Sequence, residues 1–143
     1  MKNRIVIFIA VLFLSCTPKP EKIEYGLDTC HYCKMNIVEK VHASEAVTKK
    51  GRVYKYDAIE CMISDSNEVS PEKVALYLVM DLELPGDFID ARQATYLISE
   101  AIPSPMNAFL SAFKNKTDAL EAAREHKGEV FSWEEIRNKK LLE

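Results

Sequence analysis

Ten uninterrupted apolar residues, Ile5 to Leu14, follow a short positive start, Met1-Lys2-Asn3-Arg4. As a helix, such a run rises about 15 Å, roughly half of a bilayer's hydrocarbon core, so it is too short for a permanent membrane span. A charged start, a short apolar stretch and a small residue at its end read instead as a secretory signal over residues 1–15. The fold must come from what remains. Thr17-Pro18-Lys19-Pro20-Glu21-Lys22 is polar and broken by proline, which suits an extended tether within residues 16–27. Residues 28–143 are left, enough for one compact domain or two small half-domains sharing a core. Without Lys2 and Arg4, 17 basic residues face 22 acidic ones. No basic cluster stands out along the chain, which argues against nucleic acid as a partner. Four glycines with no Gly-rich loop argue against a phosphate cradle.

Cys16 directly follows Ser15, so the signal resembles that of a bacterial lipoprotein, in which Cys16 is lipidated and becomes the first residue. Acyl chains would then anchor the chain to a membrane from outside the cytosol. The plainer alternative is a secretory signal followed by an incidental cysteine. With Cys16 acylated, Cys30, Cys33 and Cys61 remain. An odd number in an exported chain implies a free thiol or a ligand thiolate, so disulfides alone are an incomplete account. Cys61, among Ile59, Met62 and Ile63, reads as a buried small hydrophobe.

Hydrophobic patterning predicts an α+β fold. Strands are expected over 41–48 and 52–56, joined by a Lys49-Lys50-Gly51 turn. Asp57 and Glu60 have the spacing of a capping box for a helix over 58–65, and a buried strand follows at 74–80. The second half is a looser copy, with strands at 87–91, 94–99 and 108–113. A helix over 118–126, capped by Thr117 and stopped by Gly128, precedes a short strand at 130–131. Ser132 and Glu135 form a capping-box pair for a terminal helix ending at Lys139-Lys140. Two similar β-β-α-β units are expected, about 28–82 and 83–143.

The chemistry concentrates in Asp28-Thr29-Cys30-His31-Tyr32-Cys33-Lys34-Met35-Asn36-Ile37. Thiolate and thioether are soft donors matched to Cu(I), and imidazole also binds copper. If the segment is extended, His31, Cys33 and Met35 share one face, with Cys30 on the other. Met106, in the Pro-constrained Ser104-Pro105-Met106-Asn107 loop, is the best distant donor. Met62 and Met80 lie in apolar runs and read as packing, and His42 and His126 as surface or edge residues. Three other readings of Cys30-x-x-Cys33 stay open. They are half a zinc site with no visible second pair, a thioredoxin-like redox pair, and a structural disulfide.

Asp28-x-Cys30-x-Tyr32-Cys33-x-Met35 resembles the signature of the NosL family, the copper-binding lipoprotein accessory factors of nitrous oxide reductase. The likeness continues through Tyr56-Asp57 with Glu60-Cys61-Met62, Asp90-Ala91 with Ala94 and Tyr96, and Ser104-Pro105-Met106. It reaches Asp118-Ala119, Gly128 and Phe131-Ser132, roughly residues 25–135. The resemblance implies two β-β-α-β units related to the organomercurial lyase fold. It implies Cu(I) held by Cys33 and Met35, with Met106 and a histidine, by a chaperone that is not an enzyme. It also implies transfer through a membrane copper-loading complex to nitrous oxide reductase, in denitrification. The family usually has Gly where this chain has Lys34 and, after the loop methionine, where it has Asn107. Two rivals stand beside that function. One is a thiol redox protein or thiol enzyme using Cys30 and Cys33; the other is a copper lipoprotein serving a different acceptor.

Overall fold

The computed structural model of the chain describes residues 17–66 and 70–142. The expected signal and Cys16 lie outside the described residues. Among the described residues, no helix is long and apolar enough to cross a membrane.

Strands β1 (Ser44–Thr48) and β2 (Val53–Tyr56) form the expected hairpin. Its turn closes with the Gly51 amide donating to the Thr48 carbonyl at 2.9 Å. Gly51 sits at φ +81°, where a side chain would strain the backbone. Helix α1 (Ile59–Ser66) follows, then a short 3-10 turn (Pro71–Lys73), β3 (Val74–Met80) and β4 (Phe88–Asp90). The second half holds β5 (Thr95–Ile98), β6 (Leu110–Phe113), α2 (Lys116–His126), β7 (Glu129–Phe131) and α3 (Trp133–Arg137).

Two antiparallel sheets result, in the orders β2-β1-β3-β4 and β6-β5-β7. In each, the first strand of a unit lies between its second and third, and a helix joins second to third. The β-β-α-β wiring is therefore present twice in an α+β fold. β4 pairs with β3, so it extends the first sheet, and the repeated wiring of the second unit begins at β5.

One hydrophobic core serves both units. It contains Met62, Ile63 and Val79 from the first and Tyr96, Leu110, Ala112 and Ile136 from the second. Trp133 joins them, its ring 5.3 Å from Tyr77 of β3 and 6.0 Å from Tyr96 of β5. A smaller cluster of Leu97, Phe113, Ala119 and Ala122 sits under α2.

Several local expectations change in the structure. The Asp57–Glu60 capping box does not close, because the Glu60 carboxylate accepts from the Ser104 hydroxyl instead. Asn115, not Thr117, occupies the N-cap of α2. Lys127 takes the left-handed C-cap at φ 55°, while Gly128 is required for close approach. A Cβ there would stand 2.5 Å from the Ile98 carbonyl oxygen. The Ser132–Glu135 capping box forms as expected, though α3 ends at Arg137. The chain before residue 28 docks well ahead of that boundary. Ile23 is buried in the core, the Glu21 amide donates to Glu45 at 3.0 Å, and Lys55 Nζ donates to the Lys22 carbonyl at 2.8 Å. An apolar residue in a polar stretch gave Ile23 a burial drive that the surrounding prolines and charges masked.

His42 is a correction. It is buried at 1% exposure, with Nε2 3.2 Å from Ser111 Oγ of β6 and Nδ1 3.1 Å from Glu39. A lone histidine carries no sign in sequence of the partners that pay for its burial.

Candidate metal centre

The segment from Thr29 to Asn36 is not one extended strand. Thr29 and Asn36 pair as an isolated antiparallel bridge, and the residues between them form a tight turn. The Lys34 amide donates to the Cys30 carbonyl at 3.1 Å, and the Cys30 amide donates to the Met35 carbonyl at 2.8 Å. Lys34 closes the turn at φ 65°, in the left-handed region. Asn107, in the Met106 loop, is at φ 58°. Both positions where the family usually has Gly are thus positions whose backbone favours Gly.

This turn reverses the expected facing. Alternation along a strand would part Cys30 from Cys33, but winding the chain brings their sulfurs to one side. The third partner is Cys61, in the first turn of α1. The three sulfurs all lie within 4.8 Å of one another. A metal bonded at about 2.3 Å to three sulfurs around it sets them about 4 Å apart, so only small movements would close the set. Cys30 and Cys61 are fully buried, Cys33 is partly exposed, and all three are free. Burial of Cys61 agrees with its reading as a small hydrophobe. The sequence reading missed its place beside the other two; the odd count of thiols left after Cys16 was the available signal.

The thiols are electrostatically unequal. Cys30 is held well below the ordinary thiol range, first by a hydrogen bond from Cys61 and further by the Asp57 and Cys33 amides, against the opposing effect of burial. Cys61 is pushed far up by its hydrogen bond to Cys30 and by burial, and burial also raises Cys33. The cluster as a whole therefore favours one thiolate shared among hydrogen-bonded thiols, which suits a soft cation. Burial, and then the Cys30 charge, push the neighbouring Asp57 carboxyl up to about 6.

The other sequence candidates lie around this centre on different supports. His31 is anchored by its amide to the Lys55 carbonyl at 2.8 Å, and its ring packs at a tilt against Tyr54, 4.6 Å between centroids. Met35 is 45% exposed, a thioether on the surface next to the turn. Met106 is half-buried and packs against the core that contains Cys30 and Cys61. Its loop is tied to α1, because Ser104 donates to Glu60 and accepts from the Phe109 amide at 2.9 Å. Glu60 is the residue before Cys61, so one strut links the methionine loop to the thiol centre. Met62 and Met80 are buried in the core, as expected for packing.

The NosL family model matches residues 23–141. The chain belongs to the NosL family. It is 29% identical over 125 residues to the copper-binding lipoprotein NosL of Stutzerimonas stutzeri, a match covering 81% of this chain and 65% of that protein. The chain thus spans about two thirds of that relative's length. Among solved structures, the copper chaperone NosL from Shewanella denitrificans superposes with a TM-score of 0.74 at 22% identity, over 83% of this chain and 96% of that one. That likeness shows the NosL fold, and the names of both relatives describe copper binding or copper delivery.

Proposed function

We propose that this NosL-family chain is an exported lipoprotein, anchored at Cys16 and facing the periplasm, that carries Cu(I) to the apparatus maturing nitrous oxide reductase. The convergence of three thiols, one of them partly exposed, is the observation that supports this reading most. Cys33 would be the accessible anchor, with Cys30 and Cys61 behind it. Met35, Met106 and His31 would be exchangeable neutral donors. A soft, low-coordinate site open on one side lets an acceptor's donor enter before the carrier's leaves, so copper passes without becoming free. No acid–base machinery is needed for such a transfer.

Competition for Cu(I) against a chromophoric chelator, on the reduced mature chain, tests this. Cys33→Ser should weaken binding at least about a hundredfold, with a smaller loss for Met35→Leu, on the scale of disrupted metal sites. Binding unchanged in both variants would place the site elsewhere.

The lowered Cys30 thiol beside Cys33 favours a second reading, a thiol–disulfide carrier. A reversible couple in the range of oxidoreductases would support that reading over copper transport.

A further inference from the structure

The tip of the β1–β2 hairpin carries three cations close together in the chain, and the fold adds a fourth from residue 73. Lys49, Lys50 and Arg52 stand on the exposed turn. The Lys49 amide donates to the Lys73 carbonyl at 2.8 Å, which brings the exposed Lys73 beside them. With Thr48 and Glu72, these residues line a groove of about 510 Å³. Arg52 is steadied over the Tyr54 ring at 5.0 Å. Among the described residues, none of the four cations makes an ion pair. In a chain of formal charge −3, four cations beside one carboxylate among the described residues make a local reversal of sign.

The tip also has a defined position relative to the thiols. β2 runs from the tip toward the cysteine centre, where the Asp57 amide hydrogen-bonds to Cys30. Lys50 and Asp57 are therefore roughly 20 Å apart along the strand. Towards the N-terminus the Glu21 amide donates to Glu45 of β1, which pairs with Lys55 at the end of the hairpin away from the tip. Cys16 to Glu21 reaches at most about 18 Å, and Glu45 to Lys50 spans about 17 Å of strand. A lipidated Cys16 would thus be able to reach just as far as the hairpin tip.

We propose that the β1–β2 tip is a docking surface for anionic lipid headgroups, which stands the body on the membrane with the thiol centre on the far side. The reach argument rests on the proposed anchor at Cys16; the charge argument does not. Lysine stems would lie along the groove while their ammonium groups meet phosphate. Each cation near such a surface is worth roughly fivefold in partitioning, and salt screens it. The partly exposed Cys33 would then be open to a partner rather than to lipid.

The test uses the chain from residue 16 onward carrying Cys16→Ser, which retains the whole core. Sedimentation with vesicles of phosphatidylcholine plus phosphatidylglycerol is compared with phosphatidylcholine alone, at low ionic strength. The expected result is binding at least about tenfold tighter to the anionic vesicles, removed by added salt and by the double variant K49E/K50E. No preference between the vesicles, or a preference that survives K49E/K50E, overturns the proposal. Binding to polyglutamate without a vesicle preference overturns it too, in favour of an acidic protein. In the full lipidated protein on the same vesicles, amide exchange should slow over residues 48–53 and stay unchanged over 104–109; the reverse pattern overturns the orientation. The mass of the mature chain reports acylation separately, so a missing acyl group refutes the anchor while leaving the vesicle comparison intact.

Discussion

The two units share one wiring but treat their helices oppositely. In α1, seven of eight residues are buried, including Glu60, Cys61, Asp65 and Ser66. In α2, only Ala119 and Ala122 of eleven are. The reason is position. α1 packs on β1, β2 and also on β6 of the other sheet, whereas α2 covers β5, β6 and β7 from outside. A helix so enclosed holds polar groups at a cost that partners reduce, and here one oxygen of the Glu60 carboxylate stays unpartnered. Asp65 takes the Tyr56 hydroxyl at 2.5 Å, and Glu60 takes Ser104. Those partners lock a strand and the methionine loop around Cys61. The outer helix carries no such obligations, and the candidate chemistry lies with the enclosed one.

The sharpest way to break this contrast is to damage the outer unit and watch the inner one. Phe113→Ala, in the cluster under α2, should cost about 3–5 kcal/mol. Because the core is shared, urea transitions read by Trp133 fluorescence and by Cys61 thiol reactivity should shift together. Two separated transitions would mean that the units fold independently.

A second test concerns buried charge in the first unit. Burial pushes the Glu45 carboxyl up to about 7, against the pull of its hydrogen bond from the Glu21 amide and of Lys55. The folded state then binds the proton more tightly than the unfolded chain. Stability should be greatest below the ordinary carboxylate range and fall as pH rises toward 7, by an amount on the order of 3 kcal/mol. Asp57 contributes with the same sign. Glu45→Gln should flatten most of the slope in melting temperature against pH; an unchanged slope would assign the effect elsewhere.

Ser104→Ala probes the strut between the units. Loss of the hydroxyl leaves the Glu60 carboxylate and the Phe109 amide without that partner, for about 1–3 kcal/mol. Amide exchange over residues 104–109 should accelerate while the β1–β2 hairpin stays protected. Equal acceleration in both would show global loosening instead. The smallest effect is expected at the turn of the thiol centre. Lys34→Gly relieves a left-handed backbone and should stabilise by about 1 kcal/mol, while Asn107→Gly should gain less, because asparagine tolerates that region. Thermal melts of both variants would measure this difference.

Much of the element order was legible because it rests on local chemistry. Alternating Val, Tyr and Thr marked the β1–β2 hairpin, and Ser132 with Glu135 marked the start of α3. The thiol centre was legible only in part. Soft donors in one short segment pointed to Cys30 and Cys33, but the assumed extended geometry parted them. The turn depends on hydrogen bonds that no spacing rule displays. The Asp57–Glu60 pair looked like a local cap, yet Glu60 serves a residue 44 positions away. His42 read as a surface or edge residue, and Ile23 fell within the tether, because burial is set by what arrives from elsewhere in the chain.

The amino-acid order by itself determined the repeated α+β pattern, the family and the presence of soft donors, since each follows from composition and neighbours in the chain. Only the tertiary structure decided that Cys61 joins Cys30 and Cys33, that Glu60 ties the Met106 loop, and that Lys73 joins the cations of the hairpin tip. These groups come together through long-range packing, and the energy that gathers them is the burial of one core shared by both units.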